Sequence, residues 1–283
     1  MAFFADGSSR APHHVADPIL ELKTLARLSA QGPWRVALPH ARDSHLLIWI
    51  TRGQGRATIQ GVRRGIGAHN VLWLPAGTQF CLDFGPQVFG QTITYRQSDP
   101  SLLPLSAQHL RIRDVSFQGE FNGLIELITR ETQTYRPFQD EALLAKFILI
   151  EVWLRRMMLQ VGSAEDRVHL AVPERLTAAR RLAEGFARRA EEEFRSGRTM
   201  ADYASDLNVT PTHLTRVCRE VTGMTAADLL TGRVLHEAQR LLCDSDAPAQ
   251  NIARHLGFGS AAYFSRFIQK HTGQPPSALR RAA

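Results

Sequence analysis

The sequence predicts a two-domain α+β protein. Its first half reads as an antiparallel β-barrel followed by an antiparallel helix pair. Its second half reads as an all-α domain of two helix-turn-helix units joined by a long helix. Three observations predict this. From about Trp34 to Tyr95, short runs of β-branched and aromatic residues alternate with Gly-rich breaks, as in HLLIWITRGQGRATIQG, the pattern of short strands punctuated by turns. Beyond Pro104 the apolar residues recur at helical spacing. Beyond Glu174 one packing pattern occurs twice, shifted by 49 to 50 residues.

A chain of 283 residues with 44% hydrophobic content can bury a core in each of two domains. Residues 1–20 are expected to form a flexible arm, without the basic start and apolar stretch of a secretion signal. The longest apolar run, ALLAKFILIEVWL, is cut by Lys146 and Glu151, so no membrane span is expected. Cys81, Cys218 and Cys243 are too widely spaced for a disulfide framework or a zinc site, which suits a reducing cytoplasm. The net charge of +7 and pI near 9.9 favour a polyanionic partner. The excess is +3 over 1–173 and +4 over 174–283, so placement must decide where that partner binds.

The first domain is expected over 21–160. On the strand HLLIWI, His45, Leu47 and Trp49 share one face and Leu46, Ile48 and Ile50 the other. His40, Trp49 and Trp73 are candidates for lining a ligand pocket, plain core being the alternative for each tryptophan. Arg42 and Arg52 are candidates for meeting an anionic ligand or for simple solvation. The segments FNGLIELITRETQTY and DEALLAKFILIEVWLRRMML, parted by Arg136-Pro137, form the helix pair. Their stripes (Leu124, Leu127, Ile128; Leu144, Phe147, Ile148, Trp153, Leu154) suit closure over the barrel or a dimer seam. Residues 161–174 lose periodicity and read as a linker.

The second domain is expected over 175–283. Met200, Tyr203, Ala204 and Leu207 match Ala249, Ile252, Ala253 and Leu256 at a shift of 49. Leu214, Val217, Cys218 and Val221 match Phe264, Phe267, Ile268 and His271 at a shift of 50. Thr210 with Pro211, and Ser260, provide N-caps; Gly223 and Gly273 suit left-handed helix ends. The first unit spans about 199–221, the connecting helix 225–243 and the second unit about 248–271. About 18 helical residues span roughly 27 Å, close to the ~34 Å between successive major grooves on one duplex face.

Opposite each apolar stripe lies a second face, again at i, i+3, i+4, i+7: Thr212, Thr215, Arg216 and Arg219, then Ala262, Ser265, Arg266 and Gln269. Arg216 and Arg266 suit guanine, the threonines and Ser265 base edges, and Ala261 and Ala262 the thymine methyl. Arg219, Arg254, Gln269 and Lys270 suit phosphates. No catalytic constellation is legible.

LGFGSAAYFSRFIQKHTGQPPSALR is similar to the C-terminal signature of the AraC/XylS family of bacterial transcription regulators, and YASDLNVTPTHLTRVCREVTGMTAADLL resembles that family's first helix-turn-helix. Leu279 departs from the more usual aromatic residue, and Ala261 and Ala262 from polar ones. The resemblance implies two recognition helices in successive major grooves of promoter DNA, contact with RNA polymerase, and a cupin-like N-terminal domain for effector binding and homodimerisation. The function expected is a cytoplasmic, nucleoid-associated, non-enzymatic activator of a catabolic operon, responding to a small organic effector such as an aromatic acid. A constitutive regulator and a cupin-type metalloenzyme are the alternatives. Against the latter, His40 and His45 lack a following Glu and Phe80 stands near the expected late His, so no metal site and no cofactor are expected.

Overall fold

The computed structural model describes residues 18–96, 104–134, 136–160 and 174–281. The arm expected over 1–20 and the linker over 161–174 lie outside these residues except at their inner ends. There Leu20 already belongs to a strand and Glu174 already opens a helix.

Strand β1 (Leu20–Thr24) precedes a 3-10 turn, Leu25–Ser29, and a one-turn helix, α1 (Trp34–Ala37). Strand structure therefore begins earlier than the composition suggested, and Trp34 itself is helical. Seven more strands follow: β2 (His45–Arg52), β3 (Gln54–Ile59), β4 (Val62–Gly67), β5 (Asn70–Leu74), β6 (Phe80–Phe84), β7 (Phe89–Tyr95) and β8 (Gln108–Arg111). They do not close into a barrel. They form two antiparallel sheets, one of five strands in the order β1-β7-β2-β5-β8 and one of three in the order β4-β3-β6. The β3–β4 hairpin turns on Gln60 and Gly61, both at positive φ, the geometry that suits the strand twist.

The alternation on β2 assigns two cores. Leu46, Ile48 and Ile50 point between the sheets and meet Ala57, Ile59, Ile66, Phe80 and Leu82. Leu47 and Trp49 point the other way, with Val71, Trp73 and Ile93, onto the helix pair. That pair is α2 (Val115–Gln133) and α3 (Gln139–Gln160). Helix α2 buries Phe121, Ile125 and Ile128, and α3 buries Leu143, Phe147, Ile150, Trp153, Leu154 and Met157. Two residues of the expected stripes, Leu127 and Ile148, are instead exposed.

The second domain comprises α4 (Glu174–Glu193), α5 (Met200–Asp206), α6 (Pro211–Thr222), α7 (Ala226–Asp244), α8 (Ala249–His255), α9 (Ala261–Thr272) and α10 (Pro276–Arg281). Two clusters fill it. Phe186, Ala190, Tyr203, Leu214 and Cys218 pack around the first unit, and Phe194, Leu242, Ile252, Phe264 and Ile268 around the second. Among the described residues no helix is long and apolar enough to cross a membrane.

The two domains touch closely. An added Cβ on Gly61, at the hairpin tip, would lie 2.7 Å from the Ala183 carbonyl of α4, and one on Gly232 of α7 would lie 2.8 Å from Pro39 Cδ. Arg35 of α1 forms a two-pronged ion pair with Asp244 at the end of α7.

Candidate nucleic-acid interface

Each helix-turn-helix unit is built from local signals. In the first, Thr199 and Asp202 cap α5 reciprocally, and the Thr210 hydroxyl accepts from His213 N at 3.2 Å with Pro211 opening α6. In the second, the Ser260 hydroxyl accepts from Tyr263 N at 3.1 Å to cap α9. Gly223 (φ 80°) and Gly273 (φ 73°) end the two recognition helices in the left-handed conformation, each N–H returning to the fourth carbonyl back. The turns between paired helices use Asn208 (φ 55°) and Gly257 (φ 77°), which are equivalent at the shift of 49. The Asn208 turn is legible afterwards, because Asn is the L-residue that best tolerates this conformation.

On α6, Leu214, Val217 and Cys218 are buried, while Thr212, Arg216 and Arg219 are exposed and Thr215 is half-buried. On α9, Phe264 and Ile268 are buried, while Ala262, Arg266, Gln269 and Lys270 are exposed and Ala261 and Ser265 half-buried. Arg254, on α8, is exposed as well. Each expected reading face is therefore a solvent face backed by a packed stripe. His271, expected within the stripe, is exposed and rests its ring on Phe267 at 4.7 Å. Two side chains of the face were missed by the sequence reading: His213 and Tyr263, equivalent at the shift of 50 and both exposed. Their shared ring character was the available signal.

The arginines are held differently. Arg216 reaches His213 Nδ1 at 3.3 Å and Glu220 at 3.5 Å, whereas among the described residues Arg266 makes no ion pair or side-chain hydrogen bond. Gln269 donates to the Gly273 carbonyl at 2.9 Å, which turns its amide toward the helix end.

The connecting helix α7 holds a buried polar face, with Arg233, His236, Glu237 and Gln239 all covered. Arg233 is buried on it, its Nε 2.7 Å from Glu191 of α4 and its guanidinium over the Phe194 ring at 3.7 Å. Burial pushes Glu237 up, but the bonds from Arg240 and the charges of Arg233 and Arg195 outweigh it and hold the carboxyl at about 2. His236 stacks on His40 of the first domain, with ring centroids 4.2 Å apart and planes 8° apart. Burial lowers His40 to about 4, with Arg42 and Arg233 adding to it against the bond to the Leu38 carbonyl. Burial, then His40 and Arg233, lower His236 to about 2. Both rings are neutral in the docked state.

The candidate pocket residues separate. Trp49 donates to Asn122 at 2.9 Å and Trp73 to the Pro104 carbonyl at 2.8 Å, both under the helix pair. They form core rather than a cavity wall. His40 and Arg42 instead line a cleft of about 820 Å³ where the first domain meets α4 and α7. Arg52 is exposed on β2. Among the described residues no group of three His, Cys, Asp or Glu is placed to hold a metal.

Two family models match in tandem, an AraC-like ligand binding domain over residues 23–148 and a helix-turn-helix domain over 203–282. The chain belongs to the AraC family. It is 25% identical over 167 residues to the arabinose operon regulatory protein of Escherichia coli (strain K12), covering 59% of this chain and 53% of that one. It is 25% identical over 91 residues to the bifunctional transcriptional activator/DNA repair enzyme AdaA of Bacillus subtilis (strain 168), covering 32% and 43%. The chain thus spans about half the length of these curated relatives, or less. Among solved structures, an apo variant of ToxT from Vibrio cholerae strain SCE256 aligns over 94% of this chain and 98% of its own, at 16% identity and a TM-score of 0.44.

Proposed function

We propose that this AraC-family chain is a transcriptional regulator that binds duplex DNA through α6 and α9 and answers to a small organic effector held by its first domain. The observation that carries this reading is the pair of recognition helices, each exposing an arginine (Arg216, Arg266) and small polar or methyl groups opposite a buried stripe. Arg to guanine and Thr, Ser or Ala to base edges is the chemistry of major-groove reading, while Arg219, Arg254 and Lys270 suit the flanking phosphates. The 19 residues of α7 set the two heads roughly 28 Å apart along its axis, near one turn of duplex. The protein acts in the cytoplasm, on the nucleoid, as an activator that contacts RNA polymerase at the promoter of a catabolic operon. It acts as a homodimer, and the apolar residues left exposed on α3 (Ile148, Leu149, Leu159) supply the seam.

Sequencing the genomic fragments retained by the purified protein tests the reading. The expected result is a motif of two short elements about 10 base pairs apart, bound with a steep salt dependence. Retention without any enriched motif sinks it.

A further inference from the structure

We propose that the cleft between the domains binds a small hydroxylated organic anion, a sugar acid or a sugar phosphate, clamped by Arg42 between the β1–β7 edge and helices α4 and α7. The inference rests on the regulator reading above and locates the effector that it requires. It starts from the unequal sheets. Five strands face three, so the apolar interior that joins β2 and β5 to β3, β4 and β6 does not extend over β1 and β7. There the inward residues turn polar: Glu21 and Lys23 on β1, Thr92 and Thr94 on β7. The opposite wall comes from α4 and α7 of the DNA-binding domain, with Glu191, Arg195, Arg233, Glu237 and Arg240. The interior proper is filled by side chains such as Leu46, Ile48 and Ile50, each 0% exposed.

The chemistry of the walls selects the ligand class. Eight Lys and Arg face five carboxylates around the cleft. Three of the carboxylates are already engaged: Glu21 by Lys23, Glu191 by Arg233, and Glu237 by Arg195, Arg233 and Arg240. Asp43 and Glu192 are exposed. Arg35 is spoken for by Asp244. Among the described residues Arg42 makes no ion pair or side-chain hydrogen bond, although it is only partly exposed. Its guanidinium is pushed below the usual value by burial and then by Arg96 and Arg35, against Glu21, and an anion reverses that penalty. The hydroxyls of Thr92 and Thr94 and the remaining carboxylates suit hydroxyl groups on the ligand. Phe194 lines the cleft too, but its face is taken by Arg195 and Arg233, and the tryptophans Trp49 and Trp73 lie elsewhere. The other rings lining the cleft, His40 and His236, stack on each other, so among the described residues an aromatic acid would find no open ring to stack on.

Thermal unfolding at constant ionic strength tests this on the full chain with five probes: gluconate, glucose 6-phosphate, inorganic phosphate, benzoate and glucose. Gluconate or glucose 6-phosphate is expected to raise Tm by about 2–4 °C at ten times its dissociation constant, with inorganic phosphate weaker and benzoate and glucose without effect. Arg42→Gln should remove the anion-dependent shift, read for each variant as the difference between its Tm with and without the anion. A largest shift with benzoate, equal shifts in the wild type and Arg42→Gln, or no shift with any anion would overturn the proposal. Fluorescence anisotropy on the enriched DNA motif keeps the two readings apart. Anion binding with no sequence-specific DNA binding sinks the regulator and spares the cleft, and the reverse result sinks the cleft alone.

Discussion

The two helix-turn-helix units share a backbone plan and differ in their surroundings. Helix α6 lies against β4, where an added Cβ on Gly223 would stand 2.7 Å from Arg63 Nη1, whereas α9 packs on α7, α8 and α10. Arg216 of the first unit is tied to His213 and Glu220, and Arg266 of the second has no such tie among the described residues. Caps, left-handed ends and packed stripes are what a helix pair needs in order to fold, so both copies keep them. Side chains that only meet solvent or a ligand are free to differ. The comparison teaches that one helix-pair scaffold can carry two solvent faces whose side chains are held differently.

The strongest way to break the comparison is to empty the equivalent core positions. Phe264, 0% exposed, and Leu214, 1% exposed, fill matching places. Phe264→Ala should cost roughly 3–5 kcal/mol and Leu214→Ala roughly 2–5 kcal/mol, read by urea unfolding followed by circular dichroism. The phenylalanine also loses its edge contact with Phe258, 5.2 Å away. A loss well under 2 kcal/mol at Phe264 would mean that the second unit does not depend on its stripe as the first does.

The turns separate the copies next. Gly257→Ala should cost about 2 kcal/mol or more, because an L-residue is strained at φ 77° and its Cβ would stand 2.5 Å from the Arg195 carbonyl. Asn208→Gly, at φ 55°, should be close to neutral, since it relieves the same strain that it adds in chain entropy. Equal effects at the two turns would erase the distinction.

These positions also mark how far the sequence could be read. The repeat, the caps at Thr210 and Ser260 and the glycines at 223 and 273 were legible because each answers a local requirement of a helix end. The solvent-facing arginines followed from periodicity. The barrel did not follow: alternation says that a strand has two faces and not how many strands each sheet holds, and here it hid an edge that one sheet leaves uncovered. Leu127 and Ile148 show the same limit on helices, where apolar spacing cannot name the surface being met. The buried polar face of α7 was hidden for a related reason, since Arg233, His236 and Glu237 read as a solvated face until α4 and the first domain cover them.

The reading faces should divide in a quieter way. Arg216→Ala and Arg266→Ala should each cost roughly 1–3 kcal/mol on the enriched motif and relax specificity at one base pair, measured by anisotropy against single-base variants. The Arg216 loss should be the smaller, because its side chain must leave Glu220 and His213 before it can bind. Uniform weakening on all DNA with a shallower salt slope would make either residue a phosphate contact instead.

The smallest expected effect concerns what pins α7, and with it the first unit, to the sandwich. His40 and His236 are held at about 4 and about 2 in the docked state, and separation of the domains returns both toward 6.5. The separated state therefore binds more protons below pH 6.5. Docking stability is fully present above that pH and is lost as pH falls below 6.5, toward 4 for His40 and toward 2 for His236. At pH 6 the loss is about 0.8 kcal/mol for each histidine. The charges facing the stack, Arg42, Arg233 and Arg240, add to the cost of protonation, the backbone bond between His236 and Arg35 opposes it, and the Glu237 carboxylate is already engaged by Arg240. Hydrogen exchange across α1 and α7, corrected for intrinsic rates, should quicken between pH 7.5 and pH 5.5 while that of α9 does not. His40→Phe, which keeps a ring against Phe80 and His236, should halve the pH dependence. An α7 whose protection stays constant over that range would show that the stacked histidines do not set the docking, which would then rest on the Arg35–Asp244 ion pair and the close approaches at Gly61 and Gly232.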